Sequence, residues 1–297
     1  MGFNPKKRKR RNDIENRSIS FGTKKKMSET LYFDKPVDKP ESLNRSYMFG
    51  EGVFETFAFR QKPPKFLKRH LDRLQFSAKF IGIKYPGDAY IESFIQKSAK
   101  KHPNEDLIVK VSLLSIGSPE YYEESDETIL CISIKPYPKE TKEISLTLSS
   151  SSINPSNPLV YHKTTNYLLN ILERKNALKK GFDDALFLNT QNFISETTSG
   201  NIFWIKGAKI FTPDLSCGML QGIARALLIE TCKEEGIKVM EGNYELGSVI
   251  FPEAIFVTNS SKGLTEVTNI DNIIEPTRTE KLLPVIKRAF LKKLGWA

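Results

Sequence analysis

A chain of 297 residues, 39% hydrophobic and 27% charged, can bury one large core or two smaller ones, and it contains no apolar run near the roughly 20 residues that span a bilayer. The net charge of +10 suggests a nucleic-acid partner until it is located: ten basic side chains stand in residues 1–26 against Asp13 and Glu15, so the body is nearly neutral. Three cysteines (Cys131, Cys217, Cys232) and three histidines (His70, His102, His162) lie scattered without redox or metal-ligand spacing, which argues for buried thiols in a reducing cytoplasm and against a metal site.

In chain order, 1–26 is expected to be a disordered basic extension, with Met27 opening a more ordinary N-terminus. A strand is predicted at 53–59 and an amphipathic helix at 65–82, where Phe66, Leu67, Leu71, Leu74 and Ala78 share a face. A second helix follows at 90–101, then strands at 107–114, 128–134 and 143–148, rich in β-branched residues. Residues 149–158, full of Ser, Asn and Pro, are a connector and the expected boundary between domains at 27–150 and 151–297.

Beyond the connector a helix is expected at 164–180, closed by Gly181, with Leu168, Ile171, Leu172 and Ala177 inward. Short strands are expected at 185–188, 193–195, 202–205 and 209–211. A helix at 223–235, an apolar strand at 254–258 and a helix at 279–294 complete the chain. The pattern implies an α/β (α+β) protein whose C-terminal half is the richer in strands.

Four segments could carry chemistry. Tyr161-His162-Lys163-Thr164-Thr165-Asn166-Tyr167 puts a lysine where packing could desolvate it, lower its pKa and free its amine for a Schiff base. Ser195-Glu196-Thr197-Thr198-Ser199-Gly200-Asn201 offers a loop carboxylate, of the kind that pairs with a protonated ring nitrogen. Leu220-Gln221-Gly222-Ile223-Ala224-Arg225 places a glycine before a helix, so that free backbone N–H groups and the helix dipole could close on an anion. Arg69-His70-Leu71-Asp72-Arg73-Leu74 adds Arg73 as a second anion contact.

Taken together and in this order, these segments resemble the class IV aminotransferases, the fold-type IV pyridoxal-phosphate enzymes. That family includes branched-chain and D-amino-acid aminotransferases and 4-amino-4-deoxychorismate lyase. The glycine-rich Phe49-Gly50-Glu51-Gly52-Val53-Phe54-Glu55-Thr56 and the stretch from Phe203-Trp204 to Thr212-Pro213 are similar as well.

The resemblance implies a small α/β N-terminal domain and a larger barrel-like C-terminal domain, with pyridoxal 5′-phosphate between them, in a homodimer. It implies that Lys163 holds the cofactor as a Schiff base and moves protons. Glu196 would be the pyridinium partner, with Tyr167 beside the cofactor. Arg73, Gly222, Ile223, Ala224 and Ser260 would hold the phosphate, and Phe54, Lys110 and Asn259 would face the substrate. The family's transaminases commonly have threonine at the position of Ala224, so here that contact is a backbone one.

Two activities stay open. A transaminase would move an amino group between a branched-chain-like amino acid and a 2-oxo acid. A lyase would split aminodeoxychorismate into 4-aminobenzoate and pyruvate. The Lys-x-x-Asn spacing and Asn259 resemble the lyase, whereas Leu114-Ser115 stands where the lyase and D-amino-acid branches carry arginine and glycine. Nucleic-acid binding through the basic extension is the remote third reading, and no membrane partner is expected.

Overall fold

The computed structural model describes residues 19–21, 29–37, 44–118, 120–138, 143–278 and 281–296. The expected disordered extension lies outside the described residues, apart from β1 (Ile19–Phe21), which pairs antiparallel with β2 (Glu29–Phe33). After α1 (Asn44–Phe49) come β3 (Gly52–Arg60), α2 (Leu67–Phe80), α3 (Asp88–Ala99), β4 (Asp106–Gly117) and β5 (Ser125–Pro136). These strands form an antiparallel sheet in the order β1-β2-β5-β4-β3.

Strand alternation divides that sheet into two faces. Val53, Phe57, Val109, Val111, Ile132 and Ile134 pack on Leu71, Leu74, Ile91 and Ile95 of α2 and α3. Phe54, Thr56 and Ile108 turn the other way, into a cavity. All the strands here are antiparallel, and α2 and α3 pack on the face opposite the cavity, so this half mixes helices and strands as expected.

The second sheet has eight strands in the order β11-β10-β9-β12-β13-β6-β7-β8. They are β6 (Glu143–Leu148), β7 (Asp184–Leu188), β8 (Ile194–Thr197), β9 (Asn201–Lys206), β10 (Lys209–Pro213), β11 (Val239–Gly242), β12 (Ala254–Asn259) and β13 (Gly263–Ile270). Strand β6, expected in the first domain, pairs with β13 and β7, so the change of sheet lies ahead of Glu143 rather than at 150. Its own alternation cannot reveal this, because pairing is a property of partners far along the chain.

Both faces of the β9–β12 pair are apolar. Phe203, Ile205 and Phe256 meet α5 (Ile223–Glu234) and α6 (Leu282–Leu294), while Ile202, Trp204, Ile255 and Val257 fill the inside. This two-sided burial is why 254–258 reads as a continuous apolar run. The sheet curls until its ends meet: Ile194 N–H donates to the Tyr244 carbonyl at 2.7 Å, and Phe193 bridges Glu245.

The helix expected at 164–180 is α4 (Leu168–Lys179), and its orientation differs from the expectation. Leu168 is 64% exposed, Ile171 44% and Leu172 46%, and only Glu173 and Ala177 are buried. Glu173 sits inward because the 150–151 turn satisfies it: Ser150 and Ser151 hydroxyls and the Ser150 N–H all donate to its carboxylate at 3.0–3.2 Å. Hydrogen bonds to this helix's polar side, not its leucines, set its rotation.

Candidate active site

Lys163 does not stand at the start of α4. It belongs to an extended segment that β3 captures: Phe54 N–H donates to the Lys163 carbonyl at 2.9 Å, and Thr165 N–H donates to the Gly52 carbonyl at 2.8 Å. Gly50, at φ +66°, leaves room for Asn166, whose Oδ1 would lie 2.6 Å from an added Cβ. Pinned in this way, Lys163 Nζ lies 4.6 Å from the centre of the Phe54 ring and 5.4 Å from that of Tyr167. Burial, reinforced by the Arg73 charge, brings its amine down to about 8.

Glu196, next to the end of β8, lines the same cavity, of about 640 Å³, and burial raises its carboxyl to about 7 against the opposing pull of the Leu220 N–H, Lys163 and Arg73. Asn201 Nδ2 donates to Glu196 Oε2 at 3.1 Å and to the Leu220 carbonyl at 3.1 Å, so the carboxylate is aimed before any ligand arrives. Tyr167 Oη donates to the Thr198 carbonyl at 2.8 Å, which leaves the phenol oxygen free only to accept. Burial, with Glu196 nearby, raises its pKa.

The third corner is basic. Arg73 Nε and Nη2 form a fork on the Glu55 carboxylate at 2.7 and 2.8 Å, and Nη1 donates to the Gln221 carbonyl at 2.8 Å. His70 Nδ1 lies 2.7 Å from Glu55 Oε2, the oxygen that also accepts from Arg73 Nη2. Burial alone would push the Glu55 carboxyl up, but the Arg73 charge and the His70 and Arg73 hydrogen bonds outweigh it and hold it at about 2. Through Gln221 this network reaches Gly222, the residue that precedes α5 and gives it no side-chain cap. The N-terminal amides of α5, at Ile223 and Ala224, therefore face the cavity.

Lys163, Arg73, Tyr167, Glu196, Gly222, Ile223, Ala224, Phe54, Asn259 and Ser260 all line this one cavity. Asn259 Oδ1 accepts from the Ser261 and Lys262 N–H groups, so its oxygen is committed to its own turn, and the Ser260 carbonyl accepts from Ala58 N–H. Lys110 is on the same sheet face as Ile108, its Nζ 4.2 Å from the centre of the Phe54 ring, with its amine lowered by burial. Glu55, His70, Asn201 and Thr258 received no role from the sequence. An acid inside the apolar 53–59 run was the available signal for Glu55; for the others there was none.

Such a cavity can do three things. It presents an amine that loses its proton readily, holds a carboxyl opposite it, and offers an anion corner made of Arg73 and the α5 amides. The expected cofactor fits these residues. Its phosphate matches the anion corner, and Thr258 Oγ1, buried in the cavity wall without a partner among the described residues, lacks only an oxygen or nitrogen to bond.

The chain matches the family model for class IV amino-transferases over residues 52–270. It is 30% identical to a probable branched-chain-amino-acid aminotransferase of Rickettsia felis, covering 78% of this chain and 80% of that one. It is 25% identical to an aminodeoxychorismate lyase of Bacillus subtilis, covering 85% and 88%. A crystal structure of a candidate 4-amino-4-deoxychorismate lyase from Legionella pneumophila superposes with a TM-score of 0.79 at 29% identity, covering 88% and 96%.

Proposed function

This chain belongs to the class IV aminotransferase family, and from that premise we propose that it is a transaminase moving an amino group between a branched-chain-like amino acid and a 2-oxo acid. It is an enzyme, and its cofactor is pyridoxal 5′-phosphate. One observation supports this reading above the rest: a single cavity sets Lys163, at about 8, against Glu196, at about 7.

When bound, the cofactor supplies an aldehyde for the amine and a ring that draws electrons from the substrate's α-carbon. Lys163 is the nucleophile that holds it, and Lys163 Nζ then carries the proton to and from that carbon. Glu196, fixed by Asn201, would be the partner of the ring nitrogen. Arg73, the Gly222–Ala224 backbone and the Ser260 region would hold the phosphate, and Tyr167 would stand beside the ring. Phe54 and Asn259 border the substrate, with Lys110 over the Phe54 ring adding positive charge. The exposed leucines of α4 support a homodimer, and the free, buried Cys131, Cys217 and Cys232 suit a reducing cytoplasm.

Aminodeoxychorismate lyase is the second reading, favoured by Asn259 in the cavity and by the 29% identical structure. Absorbance of the loaded protein separates the two. A donor amino acid that converts the yellow form, with stoichiometric 2-oxo acid released, is the expected result. If no L- or D-amino acid does so while aminodeoxychorismate yields pyruvate, the transaminase is wrong. Lys163→Ala is expected to lose the yellow band and either activity.

A further inference from the structure

Helix α6 stops at Gly295, in the left-handed region at φ +75°, and Trp296 N–H turns back to donate to the Leu291 carbonyl at 2.9 Å. Such a closing turn requires only an apolar side chain after the glycine, packed on the last turn of the helix. The Trp296 ring reaches further than that. A Cβ added at Gly263, the first residue of β13, would come within 2.9 Å of Trp296 Cζ3, and φ +73° there also favours glycine. Arg60 ends β3, and its guanidinium carbon lies 4.5 Å from the centre of the Trp296 ring. The same carbon is 4.8 Å from the centre of the ring of Tyr137, the residue after β5. A planar cation over two aromatic faces is held by the ring quadrupoles and by dispersion.

Each of the three segments that meet at this stack also builds the wall of the cofactor cavity. Strand β3 contributes Phe54 and Thr56, Tyr137 is followed by Pro138, and the turn that Gly263 closes contributes Asn259 and Ser260. Trp296 does not line the cavity, so any effect it has there passes through the turn. A backbone hydrogen bond, from Ala58 N–H to the Ser260 carbonyl at 3.0 Å, joins the turn to β3. A single bond of that kind still allows the turn to pivot about it. The contact of Trp296 with both Gly263 and Arg60 supplies a second point, at the end of the turn where β13 begins, and two points fix an orientation.

We propose that Trp296 is a positioning residue for the cofactor's phosphate: stacked with Arg60, it locks the 259–263 turn against β3 and so sets where Ser260 meets that phosphate. The end of the chain thereby tunes cofactor affinity without touching the cofactor. This inference rests on the reading above in which pyridoxal 5′-phosphate sits with its phosphate near Ser260, and it is common to the transaminase and lyase forms.

Titration of the cofactor-free full chain with pyridoxal 5′-phosphate and, separately, with pyridoxal tests this without turnover, read by the yellow absorbance. Trp296→Leu keeps an apolar residue for the end of α6 and removes the stack. It should weaken pyridoxal 5′-phosphate roughly tenfold and leave pyridoxal, which has no phosphate, within about twofold of the wild type. Trp296→Phe, which keeps an aromatic face for Arg60, should restore most of the lost affinity. Arg60→Met should reproduce the loss, and adding it to Trp296→Leu should weaken binding little further, because both remove the same contact. Wild-type affinity in Trp296→Leu, an equal loss for the two ligands, or losses from the two substitutions that simply multiply would overturn the positioning role. A wild-type protein that takes up neither ligand would instead overturn the cofactor reading beneath it.

Discussion

At the scale of single residues, Lys163 and Glu55 show burial acting in opposite balances. For Lys163 the charges of Glu55 and Glu196 oppose burial and the Arg73 charge without outweighing them, so the amine falls to about 8. Roughly a tenth of it is then free at pH 7 and nine tenths at pH 9, and uptake of the aldehyde cofactor by the cofactor-free protein should quicken about tenfold between those pH values. A pH-independent rate in stopped-flow absorbance would contradict that. For Glu55 the Arg73 fork and His70 more than repay burial, and the carboxyl falls from 4.5 to about 2. A depressed carboxyl stabilises the fold fully above its unfolded value and loses that contribution as pH falls toward 2. Glu55→Gln should therefore cost on the order of 3 kcal/mol at pH 7, with the gap from wild type closing below pH 4.5 in urea denaturation.

At the scale of elements, two close approaches assemble the site. The edge of β3 holds the Lys163 segment, and the start of α5 meets Asn201. A Cβ added at Gly222 would come within 1.9 Å of Asn201 Oδ1, although φ there is an ordinary −67°. Gly222→Ala thus displaces the side chain that aims Glu196 and crowds the phosphate corner. It should weaken cofactor binding at least tenfold in a fluorescence titration and cost about 1–3 kcal/mol. The glycine before the helix was readable from the sequence; its collision partner, 21 positions back along the chain, was not. Helix α4 teaches the same lesson. Its leucines are spaced like an inner face, yet Ser150 and Ser151, brought from the preceding turn, decide which side is inward.

At the scale of the whole molecule, the open question is what covers the leucines of α4. If a second copy does, Leu168→Glu with Leu172→Glu should shift the protein to a monomer in sedimentation velocity, and an unchanged particle size would rule this surface out. The sequence by itself determined the family, the order of the cofactor-handling segments and most strand and helix positions. These rest on local periodicity and on residue types that the chemistry requires wherever they fall. It also located the charge surplus in residues 1–26. Only the tertiary structure decided that β6 joins the second sheet, that Lys163 lies along β3, and that Glu55 and His70 stand behind Arg73. Each of those depends on side chains or strands separated by long stretches of chain, and no local pattern records which distant partner will satisfy a buried charge or a strand edge.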